Sequence, residues 1–84
     1  MYEGWTNVET WNTALWLGNH SKGMEQTIVR LMKRQSPNKF ADNLETYIWI
    51  IWKGRTPDGH HLNPVNWVEI ANAWLEDYKE DAPP

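Results

Sequence analysis

A chain of 84 residues without a cysteine has to hold itself together by packing alone. No disulfide can brace it, and no thiolate is available as a nucleophile or metal ligand. A domain of this size hides only about 60–65% of the surface that its unfolded chain exposes, so each buried side chain carries weight. Seven tryptophans, three tyrosines and one phenylalanine are the obvious source of apolar area, each able to bury roughly 150–250 Å². One domain over residues 1–84 is expected, so full of rings that a pocket of several hundred Å³ has little room.

The apolar residues recur with helical spacing. Thr6 suits an N-cap, with Glu9 three residues on at the capping-box spacing, and Val8, Trp11 and Leu15 fall on one face. Gly18-Asn19 then supplies a left-handed stop, which predicts a first helix at about 7–18. Met24, Ile28, Leu31 and Met32 predict a second at about 24–35, closed by Ser36-Pro37-Asn38 because proline disfavours helix at the residue before it. Phe40, Leu44, Tyr47, Ile48 and Ile51 share a face of a third, at about 39–53. The stretch Tyr47–Trp52, rich in β-branched and aromatic residues, also reads as a buried strand. Helix is preferred because its spacing continues upstream through Ala41–Glu45 and because no second strand is evident to pair with it. After a loop with the turn sequence Pro57-Asp58-Gly59, Asn63 as N-cap and Pro64 at the first helical position predict a fourth helix at about 64–79. Trp67, Ile70, Ala71, Trp74 and Tyr78 line one side of it, Glu69, Glu76 and Glu80 the other, and residues 81–84 should fray. The fold class is all-α, a small compact bundle of three to four helices. Its core is expected around Trp11, Leu15, Ile28, Leu31, Leu44, Ile48, Ile51, Trp67, Ile70 and Trp74.

No apolar run nears the roughly 20 residues that span a bilayer, and the start Met-Tyr-Glu-Gly-Trp lacks the features of a signal peptide. No membrane association and a cytoplasmic setting are therefore expected. The net charge of −3 argues against a dedicated duplex-DNA binder. Its distribution is uneven: residues 22–55 carry a local +4 and residues 56–84 a local −5. The simplest account is that the two parts of one small fold attract each other.

Gly4 to Leu17 reads Gly-Trp-Thr-Asn-Val-Glu-Thr-Trp-Asn-Thr-Ala-Leu-Trp-Leu. This segment resembles a family of short bacterial and phage proteins that open on GWTN-x-ETWN-x-ALWL, a domain of unknown function. The resemblance implies no activity, cofactor or catalytic residue. It does imply a setting among small accessory proteins of bacteria and their phages.

Candidate sites follow from side chains that the helical stripes leave over. On the first helix Trp5 and Trp16 fall about 80–100° from the apolar face. With Asn12, and with Trp49 and Ile50 outside the main stripe of the third helix, they form the candidate protein-binding set. Capping accounts for Thr6 and Glu9, while Asn7 and Asn12 fit a recognition patch or hydrogen bonding to buried indoles equally well. Arg30, Lys33, Arg34 and Lys39, joined by Lys53 and Arg55, are the candidate nucleic-acid contacts, able to hold phosphate beside aromatics that stack bases. His60, His61 and Asp58 are too few and too divergent for a metal site, and His20 is far off. There is no Gly-x-Ser-x-Gly, phosphate loop or His-Glu-x-x-His, so neither catalysis nor a cofactor is expected. The expected function is non-catalytic protein binding by a phage or mobile-element accessory protein that modulates or inhibits a host complex, such as a defence nuclease assembly or the transcription machinery. A homodimer contact is one form of that binding. The alternative is single-stranded nucleic-acid binding through the basic group.

Overall fold

Side-chain caps set where the helices begin. The computed structural model describes residues 1–19 and 21–80; His20, the side chain of Glu80 and the tail at 81–84, on each of which an expectation rests, lie outside the described residues. Within them are α1 (Val8–Gly18), α2 (Lys22–Met32), α3 (Pro37–Trp52) and α4 (Trp67–Glu80). Asn7, not Thr6, caps α1: its Oδ1 accepts from the Thr10 N–H at 2.8 Å and its Nδ2 donates to the Pro64 carbonyl at 2.9 Å. The Thr6 hydroxyl is used elsewhere, accepting from the Asn66 side chain at 3.3 Å. Ser21 caps α2, so that helix starts earlier than expected. It also ends earlier, because Arg34 takes a left-handed φ of 59°. Ser36 caps α3 with Pro37 at its first turn. Ser-Pro-Asn, expected to stop the second helix, thus starts the third. Asn66 caps α4 through a 3.1 Å bond from the Glu69 N–H. The expected cap Asn63 and Pro64 are instead exposed in a turn that buries Leu62 and Val65 on either side.

Tyr47–Trp52 is helical. Among the described residues there is no strand, only isolated bridges between Tyr2 and Trp5 and between Arg55 and His61. No described helix is long and apolar enough to cross a membrane. The chain is an all-α bundle in which α3 packs chiefly on α4 and also on α2, while α1 packs on α4. Its radius of gyration, 12.3 Å, is that of a compact domain of this length, about 12 Å.

The core is aliphatic rather than aromatic. Leu17, Ile28, Phe40, Leu44, Ile48, Leu62 and Ile70 are fully buried, and of the tryptophans only Trp67 is buried. Leu31 and Trp74 are half-buried against this cluster. Trp11 is half-buried too, and Leu15 and Ile51, expected inside, are 43% and 40% exposed. Ile51 misses the core because the buried line of α3 runs Phe40, Leu44, Ile48 and then toward half-buried Trp52. Each step of four residues advances about 40° round a helix, which carries the line past position 51. Leu15 misses it because α1 turns a different side inward: Thr10, Thr13 and Leu17, with Asn12 beside them. The apolar face Val8–Trp11–Leu15 looks outward, covered in part by Tyr2, whose ring meets Trp11 edge-on at 5.0 Å.

Candidate functional site

The inward face of α1 is polar because its partners are polar. The segment between α3 and α4 folds on itself, with Thr56 N–H donating to the His60 carbonyl and Leu62 N–H to that of Gly54. Its tip, Pro57-Asp58-Gly59, has Gly59 at a φ of 93°, a conformation that costs glycine nothing. This turn presents Asp58 to α1, where Asp58 Oδ2 accepts from Asn12 Nδ2 at 2.7 Å and from Trp16 Nε1 at 2.8 Å. The Asn12 bond, and then the Trp16 bond, hold the Asp58 carboxyl below its ordinary range; His60 adds a smaller pull, and desolvation opposes them. A second set of bonds ties the start of α1 to the start of α4. Thr6 N–H donates to Glu69 Oε1, and Asn66 donates to Thr6 Oγ1 through its side chain and to Thr10 Oγ1 through its backbone.

These bonds take up much of what the sequence offered as a recognition patch. Asn12 is 2% exposed, which leaves it no surface for a partner. Trp16 is half-buried, with its N–H committed to Asp58. Trp5 does not lie on the helix at all. It precedes α1 in a tight reversal, paired with Tyr2 through backbone bonds of 2.7 and 2.8 Å across Glu3 and Gly4, both at positive φ. A helical wheel therefore misplaces it.

Trp5 turns instead toward α4. It lines a cleft of about 400 Å³ between α1, α2 and α4, together with Glu25, Ile70, Trp74, Asp77 and Tyr78. Ala14 and Gly18, on its α1 side, lie about 200° round the helix from Asn12 and Trp16. The expectation of little room for a pocket is thus corrected: the tryptophans do not fill the interior, and Trp5 and Trp74 stand half-buried as walls. Periodicity alone assigns Trp74 and Tyr78 to the core. Their i, i+4 spacing stacks the two rings at 5.7 Å and 6°, the one local signal of an aromatic wall.

The end of α3 is where apolar side chains meet solvent. Ile50 is 68% exposed and Trp49 36%, next to Ile51. Trp49 also shapes the exit from the helix. Lys53 and Gly54 leave it at φ of 55° and 90°, and the Trp49 ring lies so close that a Cβ on Gly54 would meet Cζ3 at 2.9 Å. Arg30, Lys33, Arg34 and Lys39 are not drawn into the core. Arg30 and Lys33 line a shallow groove that shares Glu25 and Tyr78 with the cleft. Among the described residues no group of three or more His, Cys, Asp or Glu side chains could hold a metal ion.

Fold and surface together define a small all-α domain with a polar internal clamp, an aromatic cleft and an apolar helix end. The chain belongs to the DUF7249 family, a family of unknown function, whose model matches residues 1–81. Comparison with curated proteins and with solved structures gives no match.

Proposed function

We propose that this chain is a non-catalytic protein-binding module that engages its partner with the end of α3. The observation that carries this reading is the run Trp49-Ile50-Ile51, three successive large apolar residues that each expose a third or more of their surface. Single exposed apolar residues are ordinary, but a helix end that exposes three in a row is not, and tryptophan is enriched at interface centres. The partner is a protein complex of a bacterial host or phage, the setting implied by the resemblance at Gly4–Leu17, and the module modulates or inhibits it. A second copy of the chain is the homodimeric form of the same contact.

Ile50→Lys tests this reading better than a change at Trp49, whose ring also packs on Gly54. Tagged wild type and Ile50→Lys are used to recover proteins from bacterial and phage-infected lysates, with and without nuclease. Wild type should retain a specific protein, or untagged chain, in both conditions. Ile50→Lys should lose it while its thermal midpoint stays within the small range usual for surface changes, about ±0.5 kcal/mol of stability. Equal recovery by both proteins would reject the α3 surface. Recovery that vanishes with nuclease and falls steeply with salt would favour single-stranded nucleic-acid binding, which the basic group Arg30, Lys33, Arg34 and Lys39 supports.

A further inference from the structure

The cleft between α1, α2 and α4 plays no part in the α3 surface, and its lining has a distinct chemistry. Trp5, Trp74 and Tyr78 line it with aromatic rings, and Glu25 and Asp77 line it with carboxylates. The Trp74 and Tyr78 rings stack parallel at 5.7 Å, which holds both in place. An aromatic face carries negative charge density and attracts a cation, more strongly as water is excluded. The carboxylates add to that attraction and repel anions. A neutral apolar ligand would gain from the rings but would strip water from the exposed Asp77 carboxylate with no compensation.

The ligand class is therefore a cation with a flat or apolar body. Guanidinium meets both demands. It is planar, stacks on aromatic rings, pairs with carboxylates in a bidentate manner and is less strongly hydrated than ammonium. The cleft's volume of about 400 Å³ suits a side chain or a small organic group, toward the low end of binding pockets at about 300–1,000 Å³. The neighbouring charges show which end attracts a cation. Glu25 is shared with the groove that holds Arg30 and Lys33, whereas Asp77 lines the cleft and not that groove. We infer that the cleft binds the guanidinium of an arginine side chain presented by a partner protein, with the rings as its walls and Asp77 as its counter-charge.

The test is a titration of isotope-labelled protein with acetyl-Gly-Arg-Gly-amide, followed by NMR. The same peptide with citrulline, nearly the same shape but uncharged, is the control. Saturable shifts should centre on the Trp5 and Trp74 indole N–H groups, on Asp77 and on Ala73, which also lines the cleft. The citrulline peptide should bind about tenfold more weakly. Asp77→Asn, an isosteric change at an exposed position, should weaken the arginine peptide about threefold without moving the thermal midpoint. No shift at Trp5 or Trp74 would overturn the proposal. So would equal binding of the two peptides, or unchanged affinity in Asp77→Asn. None of these results touches the α3 surface, which Ile50→Lys tests separately.

Discussion

Thr10 and Thr13 sit one turn apart on α1 and both are fully buried, yet their hydroxyls are treated oppositely. Thr10 Oγ1 donates to Asn7 Oδ1 at 2.6 Å and accepts from the Asn66 N–H at 2.9 Å, so it joins the caps of two helices. Thr13 Oγ1 is buried without a hydrogen-bond partner. Valine is close to threonine in shape and in helix propensity, so the Thr→Val change at each site isolates the hydroxyl. Thr10→Val should cost about 1–3 kcal/mol, because it strands a backbone donor and loosens a cap. Thr13→Val should stabilise by about 1 kcal/mol, since it removes a polar group that desolvation leaves uncompensated. Chemical denaturation of the two variants checks the pair. A destabilised Thr13→Val would mean that its hydroxyl has a partner after all, and the contrast would fail.

The element that the clamp controls is the turn carrying Asp58. Its carboxyl is held below the ordinary value of 3.8 by the bonds from Asn12 and Trp16. The folded state therefore binds the Asp58 proton less readily than the unfolded chain does. Stability from this group is fully present above the ordinary carboxylate range and is lost as pH falls through the lowered folded value. Asp58→Asn should have a lower thermal midpoint than wild type at neutral pH, and the gap should close as the pH falls through the lowered folded value. Parallel curves for the two proteins from about pH 7 to about pH 2.5 would show that the charge of Asp58 contributes nothing. The same element shows what local sequence does not encode. Asn12 and Trp16 meet Asp58 across 46 and 42 residues, and no window of periodicity reaches that far. The helical character of Tyr47–Trp52 was legible as the preferred of two readings, because the spacing continues upstream. Ile50, outside its stripe, is indeed exposed, but the same pattern puts Ile51 inside, where the structure leaves it 40% exposed. The phase of α1 was not legible. Hydrophobic spacing selects Val8–Trp11–Leu15, while the buried side is Thr10, Asn12, Thr13 and Leu17, where Asn12 and Thr10 bond to residues 46 and 56 positions away. Cap signals were visible but ambiguous: Ser36-Pro37, read as a stop, is a start, and Asn63, read as the cap of the fourth helix, lies in the preceding turn between buried Leu62 and Val65, leaving Asn66 to cap.

Across the whole molecule, the two kinds of adhesion are unevenly shared. α3 gives four residues to the buried apolar core, Phe40, Ala41, Leu44 and Ile48, and α4 gives Trp67, Ile70 and Ala71. α1 gives only Leu17 and otherwise holds on through its hydrogen bonds to the loop and to the start of α4. Such bonds exchange protein partners for water at a small net gain, whereas burial of apolar surface is lost only when the elements part. Local opening should therefore begin at α1 and spare the α3–α4 pair. Native-state hydrogen exchange under increasing denaturant should find the amides of Leu44, Ile48 and Ile70 exchanging only with global unfolding. Those of Ala14 and Leu15 should exchange through a smaller opening that Asp58→Asn makes easier still. If the α1 amides instead match Leu44 in wild type and variant alike, the polar clamp is as strong as the apolar core, and the molecule opens as one unit.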